Sequence, residues 1–306
     1  RVMERERGAV ERTMTIVGKT AEAAGFRRTR WLLTAVLALY FVYTFVPIFY
    51  VFVSSTKTNP DLFATFGLWF SNDFHLWQNL HDLFTQDHGI FGRWLWNTFY
   101  YATIAGVGAA LVSTLAGYAF AKYEFAGKRA IYALVLGAVM IPQTALVIPL
   151  FLLFSWVHVL NTPWAVILPS LVFPQGVFLM RAYIDEAVSG EIIDAGRVDG
   201  AGEFRIFWAL AFRLIAPAFA TVFVLAFVAS WNNYFLPLVV LNSNDLFPVT
   251  VGLSNWYASV ASGNGAQLLY TIIMAGALVS ILPVIIAFLF IQRFWQGGLS
   301  AGAVKS

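Results

Sequence analysis

The chain has no cysteine among its 306 residues and little charge, with Asp, Glu, Lys and Arg together at 11%. The first absence rules out disulfides and thiolate metal sites; it says nothing about redox compartment. The second excludes a separate soluble domain with its own core, since such domains carry about 25% charged residues. A hydrophobic content of 59% and a mean hydropathy of +0.73 leave a polytopic, all-α membrane protein. A phosphate-cradling P-loop is also missing. Gly18-Lys19-Thr20 is the one G-K-[ST] triplet, and the glycine a P-loop needs five residues earlier is Thr13. Any ATP chemistry must therefore come from another chain. No metal site is expected: His75, His81, His88 and His158 fall in loops without tight ligand spacing. Neither a Ser-His-Asp constellation nor a carboxylate pair inside an apolar run is present.

What the sequence has in quantity is long uncharged runs. Residues 31–53 and 95–121 are two of them, 23 and 27 residues long. A third, 130–180, has 51 residues interrupted only by His158. As one helix it would measure roughly 77 Å against a hydrocarbon core of about 30 Å, so it must turn back. Asn161 and Pro163 mark the turn. The spacing predicts six spans, at about 31–53, 95–121, 130–156, 163–181, 214–241 and 268–291. The stretch 246–267 is uncharged but polar in its middle, and reads as a loop with a short surface helix.

The basic residues divide by side. Of 19 Lys and Arg, 17 fall in the tail 1–30, the loop 122–129, the loop 181–213 and the tail 293–306. Only Lys57 and Arg93 fall on the other side, with Asp61, Asp73, Asp82, Asp87 and Asp245. The positive-inside rule places both termini and the long loop in the cytoplasm. This distribution, rather than nucleic-acid binding, accounts for the net charge of +3 and the pI near 9.1. Residues 1–30 resemble a signal peptide only in their charge. The apolar run that follows is too long and lacks a small-residue cleavage site, so a polar cytoplasmic tail and a retained first helix are expected.

The loop 182–213 cannot lie in lipid: it carries Glu191, Asp194, Arg197, Asp199, Glu203, Arg205 and Arg213. Ser189 is placed to cap a short helix, Glu191 suits its first turn, and Asp199-Gly200 suits its end. A second helix is expected over about 203–212. Ile192, Ile193, Ala195, Val198, Phe204 and Phe207 leave apolar surface beside the charges. Such surface suits docking of another protein or a helix lying on lipid, and the pattern alone leaves both open.

Asp194-Ala195-Gly196, Arg197, Val198, Asp199, Gly200 and Ala201 resemble the cytoplasmic E-A-A-x-x-x-G loop of ABC-importer permeases. Gly196 replaces an alanine of that pattern, and Phe212-Arg213 replaces a Leu-Pro. The resemblance extends along the chain. Met140-Ile141-Pro142 with Ile148-Pro149-Leu150, Leu160-Asn161-Thr162 with Ile167-Leu168-Pro169, and Ser230-Trp231-Asn232-Asn233 match sugar-importer permeases in order. Gly298 to Lys305, G-L-S-A-G-A-V-K, is similar to the end of the maltose-type second permease subunit.

The resemblance implies a type I permease fold and a non-catalytic role. It implies a second, related permease, two ATP-binding cassette subunits that hold ATP and Mg, and an extracytoplasmic sugar-binding protein, with no cofactor on this chain. Glu191, Asp194, Ala195, Gly196, Arg197, Asp199, Gly200 and Ala201 would then couple to the ATPases. Ser300, Ala301, Gly302 and Lys305 would touch them from the tail. For the sugar path, Gln143, Asn232 and Asn233 are amides inside apolar spans, and Trp231 and Tyr234 are rings able to stack on a pyranose. Helix–helix hydrogen bonding is the other reading of these polar residues. Two other transport readings are a permease for a non-sugar solute such as a glycerol phosphate and an ion-coupled carrier, which usually buries charges that these spans lack. A membrane scaffold without transport is the third alternative.

Overall fold

The structure is a computed structural model and describes residues 30–262 and 269–302. The tail 1–29 and Lys305 lie outside the described residues. The described residues form helices and turns with no strand. The first helix, α1, is Arg30–Ser55. After it come α2 (Asn59–Ala64), α3 (Leu76–Thr85), α4 (Ile90–Lys122), α5 (Lys128–Val139), α6 (Val147–Trp156) and α7 (Pro163–Ser170). The chain continues through α8 (Pro174–Ala187), α9 (Gly190–Val198), α10 (Glu203–Ile206), α11 (Phe212–Trp231), α12 (Phe235–Val240), α13 (Val249–Ala261) and α14 (Leu269–Gly302). Prolines open α7 and α8 at a position where their missing N–H is not needed.

Among the described residues, five helical stretches are long and apolar enough to cross a membrane, six if one bent pair counts as a span. The 33-residue α4 is the central mast. Ala102, Ala105, Gly106, Ala109, Ala110, Ser113 and Gly117 give it a buried stripe of small residues at helical spacing. That stripe lets neighbouring backbones approach closely, the usual way helices associate where lipid removes the hydrophobic drive. α8 and α11 pack along α4. A Cβ on Gly117 would stand 2.7 Å from Met180 Cβ and 2.9 Å from the Arg181 amide nitrogen, so only glycine fits there.

Two apolar clusters close the ends of the bundle. At the α9 end, Tyr118, Met180, Ile184, Ile193, Ile206 and Phe207 pack together. At the opposite end, Leu83, Phe91, Trp94, Trp256 and Ile272 do so. There Lys57 is buried, its Nζ donating to Thr65 Oγ1 at 2.9 Å and to the Phe66 carbonyl at 2.8 Å just past α2. By contrast α1 leaves nearly all its apolar side chains exposed, as a helix facing lipid or a partner would.

Four features differ from the spacing-based expectation. The segment 130–156 is two helices bent by 101°; Pro142, extended at φ −60°, ψ 125°, stops α5 from continuing. The segment 163–181 breaks at 171–173 before Pro174, and the helix beyond it reaches Ala187. The segment 214–241 breaks after Trp231, and its helix starts at Glu203, through α10 and a π turn at Phe207–Ala211. Lastly, α13 is not a surface helix. Val249, Val251, Gly252, Trp256 and Val260 are buried, with the Trp256 ring 4.7 Å from that of Trp94; only the outer face carries the polar residues that dominate the sequence pattern.

Candidate functional site

The α9 loop is built from two helix ends and one turn. Ser189 holds the N-cap position of α9 with extended backbone, yet its side chain caps nothing; this departs from the expected cap. Glu191 does sit in the first turn. The far end is a complete glycine cap. Gly200 has φ +74°, its N–H donates to the Arg197 carbonyl at 3.0 Å, and the Ala201 N–H donates to the Gly196 carbonyl at 2.9 Å. These paired bonds satisfy carbonyls that a helix end otherwise leaves open.

Two faces of α9 differ. Ile193 and Gly196, three apart, turn into the core. Gly196 packs so closely that a Cβ would stand 3.0 Å from Ile206 Cγ1 and 3.1 Å from Leu210 Cδ1. That explains the glycine where the resembling loops have alanine. Ile193 and Phe207 are therefore buried rather than part of the apolar surface expected from the sequence. The outward face carries Glu191, Asp194, Ala195 and Asp199, with Val198 at 88% and Phe204 at 78% exposure. Ala201 is half-buried behind the turn.

A polar bridge crosses that turn. Arg197 Nε donates to Glu203 Oε1 at 2.7 Å and Arg197 Nη1 donates to Asp194 Oδ1 at 3.1 Å. Tyr123 Oη, just past α4, donates to Glu203 Oε2 at 2.7 Å. Arg197 first, then Tyr123, hold the Glu203 carboxylate below its ordinary pKa. Burial first, then Glu203, push the Tyr123 phenol up to about 12. The arrangement joins three elements: the end of α9, the start of α10 and the end of α4. Sequence reasoning missed Glu203 and Tyr123 as site residues. Six positions separate Glu203 from Arg197 across a turn, and 80 separate it from Tyr123, so no helical period marks either.

The expected path residues fall on two breaks. Gln143 is exposed in the bend between α5 and α6, its side chain making no hydrogen bond among the described residues. Asn232, Asn233 and Tyr234 form the break between α11 and α12. Asn232 Nδ2 donates to the Val228 carbonyl at 3.0 Å, the Asn233 carbonyl accepts from Thr250 Oγ1 at 2.8 Å, and Tyr234 Oη pairs with Ser254 Oγ at 3.0 Å. Trp231 is 3% exposed and its Nε1 donates to the Ser280 carbonyl at 3.2 Å. Its ring holds α11 against α14 and is not presented for stacking. In the tail, Ser300, Ala301 and Gly302 lie on the last turn of α14.

Comparison with known proteins agrees with this architecture. Residues 102–296 match the family of binding-protein-dependent transport system inner membrane components. The arabinooligosaccharides transport system permease protein AraQ of Halalkalibacterium halodurans is 35% identical over 276 residues, 90% of this chain and 96% of its own. The lactose transport system permease protein LacG of Rhizobium radiobacter is 32% identical, over 89% of this chain and 94% of its own. A chain of the crystallised bacterial ABC transporter involved in import of the acidic polysaccharide alginate superposes with a TM-score of 0.73. That match covers 87% of this chain and 96% of that one at 22% identity, and it shows the fold. The chain belongs to the family of binding-protein-dependent transport system inner membrane components; it is an ABC-importer permease and a multi-pass membrane protein.

Proposed function

We propose that this chain is one permease subunit of a sugar importer and works by alternating access. Partner ATPases drive it, and it performs no catalysis itself. It pairs with a second, related permease. Two ATP-binding cassette subunits, which hold ATP and Mg, dock on the side where 17 of the 19 basic residues fall; that side is the cytoplasm, with both termini. A sugar-binding protein delivers substrate at the opposite face. The sugar class rests on the relatives, whose names specify arabinooligosaccharides and lactose.

One observation carries the coupling role. α9 presents an acidic and apolar outward face, and the Arg197–Glu203 pair ties its end to a helix that runs from Glu203 to Trp231. Displacement of α9 by a docked ATPase would therefore be delivered along this rod to the break at Asn232 and Asn233. Glu191, Asp194, Ala195, Arg197, Asp199, Gly200 and Ala201 serve as the docking surface and its turn, with Gly196 seating it. Ser300, Ala301, Gly302 and Lys305 are assigned to a further ATPase contact. Gln143, Asn232, Asn233 and Tyr234 are assigned to the sugar path, with Trp231 behind them.

The deciding experiment is reconstitution of the complex in liposomes with an oligosaccharide-loaded binding protein. ATP hydrolysis stimulated by the loaded binding protein, with uptake, is the expected result. Failure of ATPase subunits to co-purify, or uptake that persists without ATP, would reject the reading.

A further inference from the structure

A second polar feature lies beside the coupling loop. At the α9 end of the bundle, the 123–129 turn, the start of α5 and the side of α8 enclose a cleft of about 650 Å³. Its charged lining is Lys128, Arg129 and Arg181 against Glu124 alone; three cations and one carboxylate leave a net of two positive charges. Glu124 is committed to Lys128 at 2.7 Å. Arg181 lies 3.9 Å above the centre of the Tyr132 ring, which fixes its guanidinium as a cation–π pair does. Asp185, 3.8 Å from Arg181, is itself shared with Lys122 at 4.0 Å. Arg129 is exposed, makes no hydrogen bond or contact ion pair among the described residues, and acts on Glu124 only through its charge. The cleft thus presents one fixed and one uncommitted guanidinium, a donor set suited to phosphate oxygens.

Its surroundings point to an amphiphile rather than a free anion. Immediately beyond Arg129, α5 turns Ile131 and Leu134 outward, the latter 74% exposed, and Phe125 on the cleft wall is 39% exposed. A charged cleft that opens onto an uninterrupted apolar helix face matches a phosphate headgroup with its acyl chains alongside. Basic pockets between spans on the cytoplasmic side take anionic lipid headgroups by this chemistry. We infer that this cleft is a headgroup site for an anionic phospholipid, joined through phosphate to Arg129 on α5 and Arg181 on α8. The inference takes its membrane side from the permease function proposed above. A bound headgroup would link the helix that leads to Gln143 with the helix that leads to α9, so occupancy would stiffen the route between coupling loop and path.

The test is native mass spectrometry of the assembled importer in detergent, titrated with phosphatidylglycerol or phosphatidylcholine. Arg129→Gln, Arg181→Gln and Arg129→Lys are compared with the unchanged protein. Each Gln variant should bind phosphatidylglycerol about fivefold more weakly, the effect of roughly one lost cation at a membrane surface. Arg129→Lys should recover most of that, phosphatidylcholine should not discriminate, and inorganic phosphate should not compete. Equal phosphatidylglycerol binding by all forms overturns the site. Competition by inorganic phosphate alone reassigns it to a soluble anion, and loss of ATPase subunits from the Gln variants reassigns it to a protein contact; either overturns the lipid inference. ATP hydrolysis stimulated by loaded binding protein, measured in phosphatidylcholine, reports on the permease function separately.

Discussion

Arg197 and Glu203 meet at 2.7 Å across the turn that separates α9 from α10. Both carboxylate oxygens of Glu203 are used, the second by Tyr123 at the end of α4. The pair is largely exposed, so its contribution to folding is small. Its consequence is geometric. It closes the turn formed by Gly200 and ties the end of α9 to the helix that begins at Glu203.

Replacing Glu203 should therefore uncouple transport more than it destabilises the protein. Glu203→Ala should raise the ATP hydrolysed per sugar imported, and the charge exchange Arg197→Glu with Glu203→Arg should recover part of the ratio. Assembly should be unchanged by size-exclusion chromatography. Glu203 has a folded pKa below its ordinary value of 4.5, so the pair is fully formed above that value and is lost as the pH falls through the depressed one. Coupling that weakens between neutral pH and 4.5 would point to some other group.

Gly200 and Gly196 should fail in different ways. Nothing lies within 4 Å of a Cβ on Gly200, but its φ is +74°, so Gly200→Val is penalised by conformation alone, about 1–2 kcal/mol. Gly200→Asn, which tolerates this region, should keep substrate-stimulated ATPase activity where valine loses it. Gly196→Ala meets Ile206 Cγ1 and Leu210 Cδ1 instead, so a paired Ile206→Ala, which removes that Cγ1, should relieve part of the crowding. Equal activity of Gly200→Val and the unchanged protein would remove the turn from the mechanism.

These contrasts mark what was legible in the sequence. Charge-free runs and the sidedness of Lys and Arg carry the spans, and Asp199-Gly200 carries the end of α9. The polar bridge is illegible because its partners come from separate elements. The π turn at Phe207–Ala211 leaves no mark in a run of apolar residues. The α13 helix is hidden by Ser254, Asn255 and Ser259, which outnumber its buried aromatic in the pattern although Trp256 decides its position. Of the path residues, Trp231 reads as a free ring, but the Ser280 carbonyl that takes its N–H lies 49 positions away.

Asn161 should be a stability residue at the far end of the bundle. Its Oδ1 accepts from the Asn242 and Ser243 amides at 2.9 Å each, and its Nδ2 donates to Ser243 Oγ at 2.8 Å. The side chain thus clasps the turn before α7 to the chain after α12, at a φ of +57° that asparagine tolerates. Asn161→Ala should cost about 2–3 kcal/mol from three lost bonds. Asn161→Gly should cost less, because it relaxes the backbone. A thermal scan of the purified complex reads both, and an unchanged midpoint for Asn161→Ala would leave the clasp without energetic weight.

Membrane sidedness can be read directly, since no native cysteine interferes. Cysteines at Ser71 and His88 should react with an impermeant maleimide added to intact cells. A cysteine at Ser189, next to α9, should react only after permeabilisation. The opposite pattern would invert the orientation and remove the ATPases from α9.

The sugar path gives the most discriminating prediction. Gln143 and Asn233 both lie where a helix is interrupted, at the α5–α6 bend and the α11–α12 break. Interrupted helices expose backbone groups that lipid cannot satisfy, so such breaks persist where protein or a water-filled cavity covers them. The Gln143 side-chain amide makes no hydrogen bond among the described residues, and Asn233 is held there through its carbonyl by Thr250. Alanine at either position should lower uptake at limiting sugar while basal ATP hydrolysis and assembly stay intact. Trp231→Ala should behave otherwise. Its ring is buried between α11 and α14, and deleting a buried tryptophan costs about 3–5 kcal/mol, so assembly or thermal stability should fall together with transport. If Gln143→Ala and Asn233→Ala import sugar normally at limiting concentration, the two breaks are hinges rather than binding positions, and the sugar contacts belong to the partner permease.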